Sequence, residues 1–397
     1  MNPRTDTYVP SVAEADALVA EGARLDRAEE VIDSSRLSAL LERHVTITHA
    51  RLKPEHSVVV AHTELDGTHG WTMLTTDPDK FSKAQQRAAE TGDPLSVHQQ
   101  RAGLFLCTGS AWSDPALAKE LAEAQRALEK QEERQVSWQI LRYNPRRRLV
   151  AIVDAGKSPK VVRILAGGAD HLLSAARRWR ELGLPVTNLL PLGDRRSATI
   201  APLWGFGDLA RTPYEPASET AGEVIGRLHA SSRSDSSQGQ GPPEADPLQA
   251  SAALHLVAPW LSGRAEQLAL RCLTDLRAAL DSATAEVHGD LSPDQVLLAA
   301  EGSHKVRIID LDRAGPGHPM RDIGSWVASC RHAGHSELID AFLAGYSSCA
   351  RLEPADLNAW EAYAHLARAT DFFRHREPDW PVHTVNALNL AEEALDR

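Results

Sequence analysis

Between residues 287 and 324 the chain concentrates both chemistry and fold in one run, VHGDLSPDQVLLAAEGSHKVRIIDLDRAGPGHPMRDIG. A polar loop at 288–295 leads into an aliphatic strand at 296–298, and a turn at 301–304 returns the chain as a second strand at 306–311. Both runs have the β-branched and aliphatic composition of buried strands. An antiparallel hairpin puts the loop before its first strand beside the end of its second, so Asp290, Gln295 and Asp310 are expected to converge. Two carboxylates and an amide oxygen so placed suit phosphoryl transfer. One acid accepts the proton of an attacking hydroxyl, while the amide oxygen and the other acid hold Mg2+ against nucleotide phosphates. Positioning and charge neutralisation then carry the rate.

In their order and spacing, His288-Gly289-Asp290, Gln295, Ile309-Asp310-Leu311-Asp312, Pro319 and Asp322-Ile323-Gly324 resemble the catalytic core of the aminoglycoside phosphotransferase and choline kinase superfamily. The fold of that family is similar to protein kinases. The resemblance implies ATP as phosphoryl donor, Asp290 as catalytic base, Asp310 as the main Mg2+ ligand with Gln295, and a hydroxyl of an antibiotic, sugar or amino alcohol as acceptor. Most members have Asn where this chain has Gln295; the maltokinase-like branch resembles it in using Gln, whose carbonyl oxygen also suits a hard cation. That variant tilts the expected acceptor toward a sugar. His288 reads as a buried residue bracing the loop, and Asp312 as either an outer acid of the site or a solvated strand end. Asp322, before an apolar run, reads as a helix N-cap; the resemblance makes it also a prop for the catalytic loop.

Upstream, residues 1–44 are polar and Ala-rich, a leader helix or partly mobile cap with helical periodicity at 11–24 and 34–43. Alternating β-branched runs follow at 45–52, 57–65 and 70–75, then a helix at 80–91, a strand at 103–108 and a helix capped by Ser113. A second set of strands is expected at 136–142, 148–154 and 160–165, a helix at 171–182 and a strand at 198–203. The hairpins RLKPEHSVVVA and RYNPRRRLVAI echo each other, and convergence on one hairpin type is the simpler reading. The resemblance places a basic residue of the third lobe strand at the phosphates, which matches Arg163; the alternative is a plain outward-facing arginine. Its usual helix glutamate has no good candidate beyond Glu181. Gly156, in the turn before that strand, is a candidate to lie over the phosphates, and Trp204-Gly205-Phe206-Gly207 a candidate hinge.

A helix at 219–230 precedes residues 231–247, a Ser/Gly/Gln/Pro tract expected as a flexible loop. Helical periodicity then recurs at 248–261, 265–282, 322–330, 336–349, 354–376 and 385–396. The expectation is therefore an α+β, two-lobed, protein-kinase-like fold: an enlarged antiparallel N-terminal lobe over 45–204 and a mostly helical C-terminal lobe over 205–397.

A net charge of −11, from 43 basic and 54 acidic residues, argues against a sequence-independent nucleic-acid binder, which needs a basic footprint. No run reaches the roughly 18 apolar residues of a membrane helix, and Cys107, Cys272, Cys330 and Cys349 show no ligand spacing. A cytoplasmic protein is expected. Two other readings stay open: a nucleotide-binding pseudokinase with a regulatory role, and a separate protein-binding module within residues 1–130.

Overall fold

The computed structural model describes residues 8–101, 103–154, 158–232, 245–279 and 284–397. The chain opens with α1 (Val12–Ala23), α2 (Ala28–Ile32) and α3 (Ser34–Leu41). Ser11 and Glu14 close a capping box on α1. Ala15, Val19, Val31, Ile32 and Leu37 are buried, so these helices are part of the core and not a mobile cap. Asp16 accepts from both Arg376 terminal nitrogens at 2.8 and 2.6 Å and from Trp380 Nε1 at 3.2 Å, which ties the first helix to the end of the chain.

A five-stranded antiparallel sheet follows, built from β1 (Val45–Lys53), β2 (Ser57–Glu64), β3 (His69–Thr75), then α4 (Pro78–Thr91), β4 (Ser96–Arg101) and β5 (Leu104–Ser110), in the order β1-β2-β3-β5-β4. After α5 (Ala118–Glu132) the same plan runs again. It comprises β6 (Trp138–Asn144), β7 (Arg148–Val153), β8 (Lys160–Leu165), α6 (Asp170–Glu181), β9 (Leu190–Pro191) and β10 (Ala198–Pro202), in the order β6-β7-β8-β10-β9. The fourth strand of each set, β4 and β9, is the one the sequence pattern does not announce. Asp114, not Ser113, serves the turn into α5: its Oδ1 accepts from the Ala116 and Leu117 amides at 2.8 and 3.2 Å, while the Ser113 hydroxyl donates to Ser110 O.

The repetition reaches into backbone detail. Both first hairpins have three-residue turns closed by Lys53↔Ser57 and Asn144↔Arg148, and both first strands carry a bulge, after Ile47 and after Ile140. The middle turn residues, Glu55 and Arg146, have φ of 64° and 62°. The echo of the two hairpin sequences is therefore one part of a repeated five-strand topology, and convergence of a single hairpin does not describe it. In the pairing register Met73, opposite Val59, occupies the place that Arg163, opposite Val150, takes in the second sheet.

The copies stack head to tail. Val59, Ala61, Trp71 and Met73 of the first sheet share one core with α4, α5 and the Leu149, Ala151, Val162 and Ile164 face of the second. The other face of the first sheet, with Val58, Val60, Leu74 and Leu106, packs with α1–α3. Both faces of the first sheet are thus covered. In the second sheet the remaining face, with Arg148, Val150, Ile152, Val161 and Arg163, is only half-buried and looks onto the C-terminal lobe.

That lobe holds β11 (Gly207–Asp208), β12 (Ala285–Val287), β13 (Val296–Leu298), β14 (Val306–Ile308) and β15 (Gly315–Gly317), with β11-β13-β14 and β12-β15 paired antiparallel. Around them lie α7 (Glu215–Ser232), α8 (Pro247–Val257), α9 (Ser262–Ala279), α10 (Met320–Ala333), α11 (Ser336–Ser347), α12 (Pro354–Arg368), α13 (Asp371–Arg374) and α14 (Trp380–Leu395). The helix expected over 354–376 is divided between α12 and α13. Gly156 and most of the 231–247 tract lie outside the described residues. Among the described residues no helix is long and apolar enough to cross a membrane.

Candidate active site

β12 delivers the chain into His288-Gly289-Asp290. Gly289 has φ 95°, and a Cβ there would stand 2.5 Å from Arg313 O, so only glycine fits this turn. The amides of His288 and Gly289 donate to the two oxygens of Asp322 at 2.6 and 2.7 Å. Asp322 is fully buried and also lies 3.2 Å from His229 Nε2, whose Nδ1 is 3.1 Å from the Tyr346 hydroxyl. The N-cap residue of α10 is Pro319. Asp322 stands inside the first turn, with its carboxylate spent on the loop and not on the cap. Burial alone would raise its pKa; the His229 hydrogen bond, the charges of His229 and His288, and the loop amide outweigh it and hold the carboxyl below its usual range.

His288 is buried, with Nε2 2.8 Å from Ile309 O and its ring edge-on to Trp179 at 5.9 Å. Burial opposes protonation of this ring, but the neighbouring Asp290 and Asp322 carboxylates and the Ile309 carbonyl raise its pKa on balance. Asp290 Oδ1 lies 3.4 Å from His288 Nδ1 and has no hydrogen-bond partner among the described residues. Its Oδ2 is 3.3 Å from Arg313, and the side chain keeps 31% of its surface exposed. One oxygen is thus buried against His288, and the exposed surface of the carboxylate lies on the Oδ2 side, beside Arg313.

Asp310 follows β14 in left-handed conformation, φ 67° and ψ 48°. This backbone turn accompanies a contact across the cleft to the second sheet. Arg163 donates to Asp310 at 2.8 Å and to Asp312 at 2.9 Å, while Arg148 reaches Asp312 at 2.9 Å and Asp310 at 3.4 Å. Burial works against the Asp310 charge, yet Arg163 and Arg148 prevail and hold its pKa at about 2. For Arg163 the same balance runs the other way: burial lowers its pKa, and the charges of Asp310, Asp312 and Asp290 raise it overall.

The structure thus brings Asp290, Asp310, Asp312 and Arg163 together, with His288 and Asp322 behind them. Arg148 is a residue the sequence reading missed. Its signal was alternation: Val150 pairs with Arg163, and Arg148, two residues earlier, shares that face. No glutamate of α6 meets Arg163; the two aspartates take that place. Instead α6 is fixed to β12, with Arg178 and Trp179 Nε1 donating to Glu286 at 2.7 and 3.2 Å.

Gln295 is buried beside Asp310, since Ile309 N–H donates to Gln295 O at 3.0 Å. Its Oε1 accepts from Ser292 N–H at 3.1 Å, closing the turn before β13. An amide oxygen has a second lone pair, so this bond does not use up its capacity. Between the lobes, Gly205 has φ 91° and sits so close to β13 that a Cβ would be 2.6 Å from Leu298 O; Phe206 N–H donates to that same oxygen at 2.8 Å.

Residues 210–366 match the phosphotransferase enzyme family. Among solved structures, a spectinomycin phosphotransferase in complex with ADP and spectinomycin aligns with a TM-score of 0.51 at 13% identity, covering 70% of this chain and 98% of that one. A microcompartment-associated aminopropanol kinase aligns with a TM-score of 0.50 at 18% identity, again over 70% and 98% of the two chains. Both are matched almost whole, which shows the two-lobed kinase-like α+β fold. An uncharacterized protein of Synechocystis sp. is 26% identical over 237 residues, 56% of this chain, and the chain spans 61% of the length of that relative.

Proposed function

We propose that this chain, a member of the phosphotransferase enzyme family by its residues 210–366, transfers the γ-phosphoryl group of ATP to a hydroxyl of a small molecule. The observation that carries this reading is the cluster of Asp310 and Asp312 under Arg163 and Arg148, beside the Asp290 loop. Asp290 would orient the hydroxyl and take its proton as the new O–P bond forms and the bond to the β-phosphate oxygen breaks, releasing ADP. Its exposed carboxylate edge is where an acceptor can approach. Arg163 and Arg148 would exchange Asp310 and Asp312 for nucleotide phosphates. Leu203 and Phe206, 43% and 61% exposed on the segment joining the lobes, offer apolar surface to the base.

The donor set fits Mg2+, which commonly takes one or two carboxylates and completes its shell with phosphates and water. Asp310 and Asp312 would supply the carboxylates, and Gln295, whose main-chain carbonyl accepts from Ile309 N–H, would offer its amide oxygen as a further hard donor. Bound there, the ion would neutralise charge on the transferring phosphoryl group. The acceptor belongs among hydroxylated antibiotics, sugars and amino alcohols, with the glutamine at 295 favouring a sugar, and the reaction would run in the cytoplasm. The engaged Gln295 oxygen gives some weight to a second reading, a nucleotide-binding pseudokinase.

Titration calorimetry of the full chain with ADP tests the nucleotide site. Binding should strengthen by about tenfold or more when Mg2+ is added, because Asp310 and Asp312 would hold the ion and its charge would offset that of the phosphates. Equal affinity in Mg2+ and in EDTA would contradict the metal assignment.

A further inference from the structure

Beside the cleft the chain gathers positive charge that pairing does not explain. Its net charge is −11, yet basic groups from three distant segments meet at one place. β1 contributes His49 and Arg51, the β6–β7 hairpin contributes Arg142 and Arg147, and the end of α13 contributes Arg374 and His375. The His49 and His375 rings lie 5.6 Å apart. His375, Arg142, Arg374 and Arg147 all press on His49, and Arg147, Arg146 and Arg374 on Arg51. Arg374 has Asp371 at 3.1 Å, and that carboxylate also faces His375. Arg51, Arg142 and Arg147 form no ion pair with any described residue.

Clusters of one sign are unfavourable in the free protein and focus a field that draws the opposite charge. Burial together with these positive neighbours pushes the His49 ring down to about 3, so the arginines carry the charge. Arg142, Arg147 and Arg374 are exposed and Arg51 is half-buried, which leaves their donors accessible. The group is also continuous with the reaction site. Arg148, which holds Asp310 and Asp312, adds its own charge to the field on His375.

We infer that Arg51, Arg142, Arg147 and Arg374, around the His49–His375 ring pair, form a binding site for an anion of the phosphate or carboxylate class. Guanidinium groups are suited to it, since they present forked donors to such oxygens. This gives the repeated sheet a role. Its own front face is closed, with Met73 where the second sheet has Arg163, but its edge strand lends His49 and Arg51 to a site served by the other copy. Two sources share the chemistry: the phosphates of the nucleotide, and an acidic group on the acceptor. The binding site does not depend on the proposed reaction.

Inorganic pyrophosphate is the probe, titrated calorimetrically into the native chain and into the Arg51→Gln, Arg374→Gln double variant, with Arg374→Gln alone as the milder change at a side chain 46% exposed. Circular dichroism checks that each variant is folded. Pyrophosphate should bind the native chain and weaken roughly tenfold or more in the double variant. If saturating ADP leaves that binding in place, the anion belongs to the acceptor. If ADP displaces it and ADP affinity falls in the same variant, the nucleotide phosphates fill the site. Absence of binding at millimolar pyrophosphate, or equal binding in native and variant chains, would overturn the inference. Neither result requires turnover, so failure here is separable from failure of the proposed activity.

Discussion

Asp310→Ala is expected to abolish ADP release and to remove the Mg2+ dependence of nucleotide binding, while leaving a folded chain. Asp310 is the acid nearest Arg163, at 2.8 Å, and the proposed principal metal ligand. Losing a single preorganised group that stabilises transition-state charge lowers kcat by about 10²–10³, and losing the ion with it should lower it further. The fold should survive because Asp312 still accepts from Arg163 and Arg148, both at 2.9 Å. A stability loss of about 1–3 kcal/mol is expected for one truncated partner in a buried polar cluster.

The same residue sets an acid limb. Its folded pKa of about 2 lies below the usual 3.8, so its contribution to stability is fully present above roughly pH 4 and is lost as pH falls through about 2. Urea unfolding of Asp310→Asn between pH 2 and 5 should show that limb flattened. Turnover undiminished in Asp310→Ala would remove this residue from the site.

The second large effect is structural. Asp322 is a fully buried carboxylate serving the amides of His288 and Gly289 and the ring of His229. In Asp322→Ala those groups lose their acceptor where water does not replace it, and breaking a buried charged network in this way costs about 3–5 kcal/mol. The loop at 288–290 is the segment released, so Asp290 should lose its position along with the stability. Urea midpoints of native and variant chains measure the first effect, and hydrogen exchange of the 288–290 amides the second. A destabilisation under about 1 kcal/mol would mean that the loop holds itself.

The candidate site was legible because its parts are close in sequence: one hairpin carries Asp290, Gln295 and Asp310, and α10 follows at once with Asp322. Arg163 was found through the family resemblance, whereas Arg148 needed the pairing register of β7 and β8. The repeat was legible only in its first hairpin, for a physical reason. β2 is buried on both faces over Ser57–His62, while β7 alternates half-buried and buried residues because one side lines the cleft. The same topology therefore presents two different hydrophobic patterns. β9 has only two residues, too few for alternation to register. The role of Asp322 was ambiguous because an acid before an apolar run looks the same whether it caps its own helix or holds a neighbouring loop. The basic cluster was hidden because its members are separated by most of the chain and a net charge of −11 masks them.

The central claim, phosphoryl transfer from ATP to a hydroxyl with Asp290 as base, is tested most directly by ADP release. The measurement uses Mg2+, ATP and a panel of antibiotics, sugars, sugar acids and amino alcohols, comparing the native chain with Asp290→Asn. The account predicts release that requires a particular acceptor and falls by about 10²–10⁴ in the variant, the range for a lost general base. Acceptor-dependent release that is equal in both chains, or bound ATP with no release across the whole panel, would contradict it, the latter in favour of the pseudokinase.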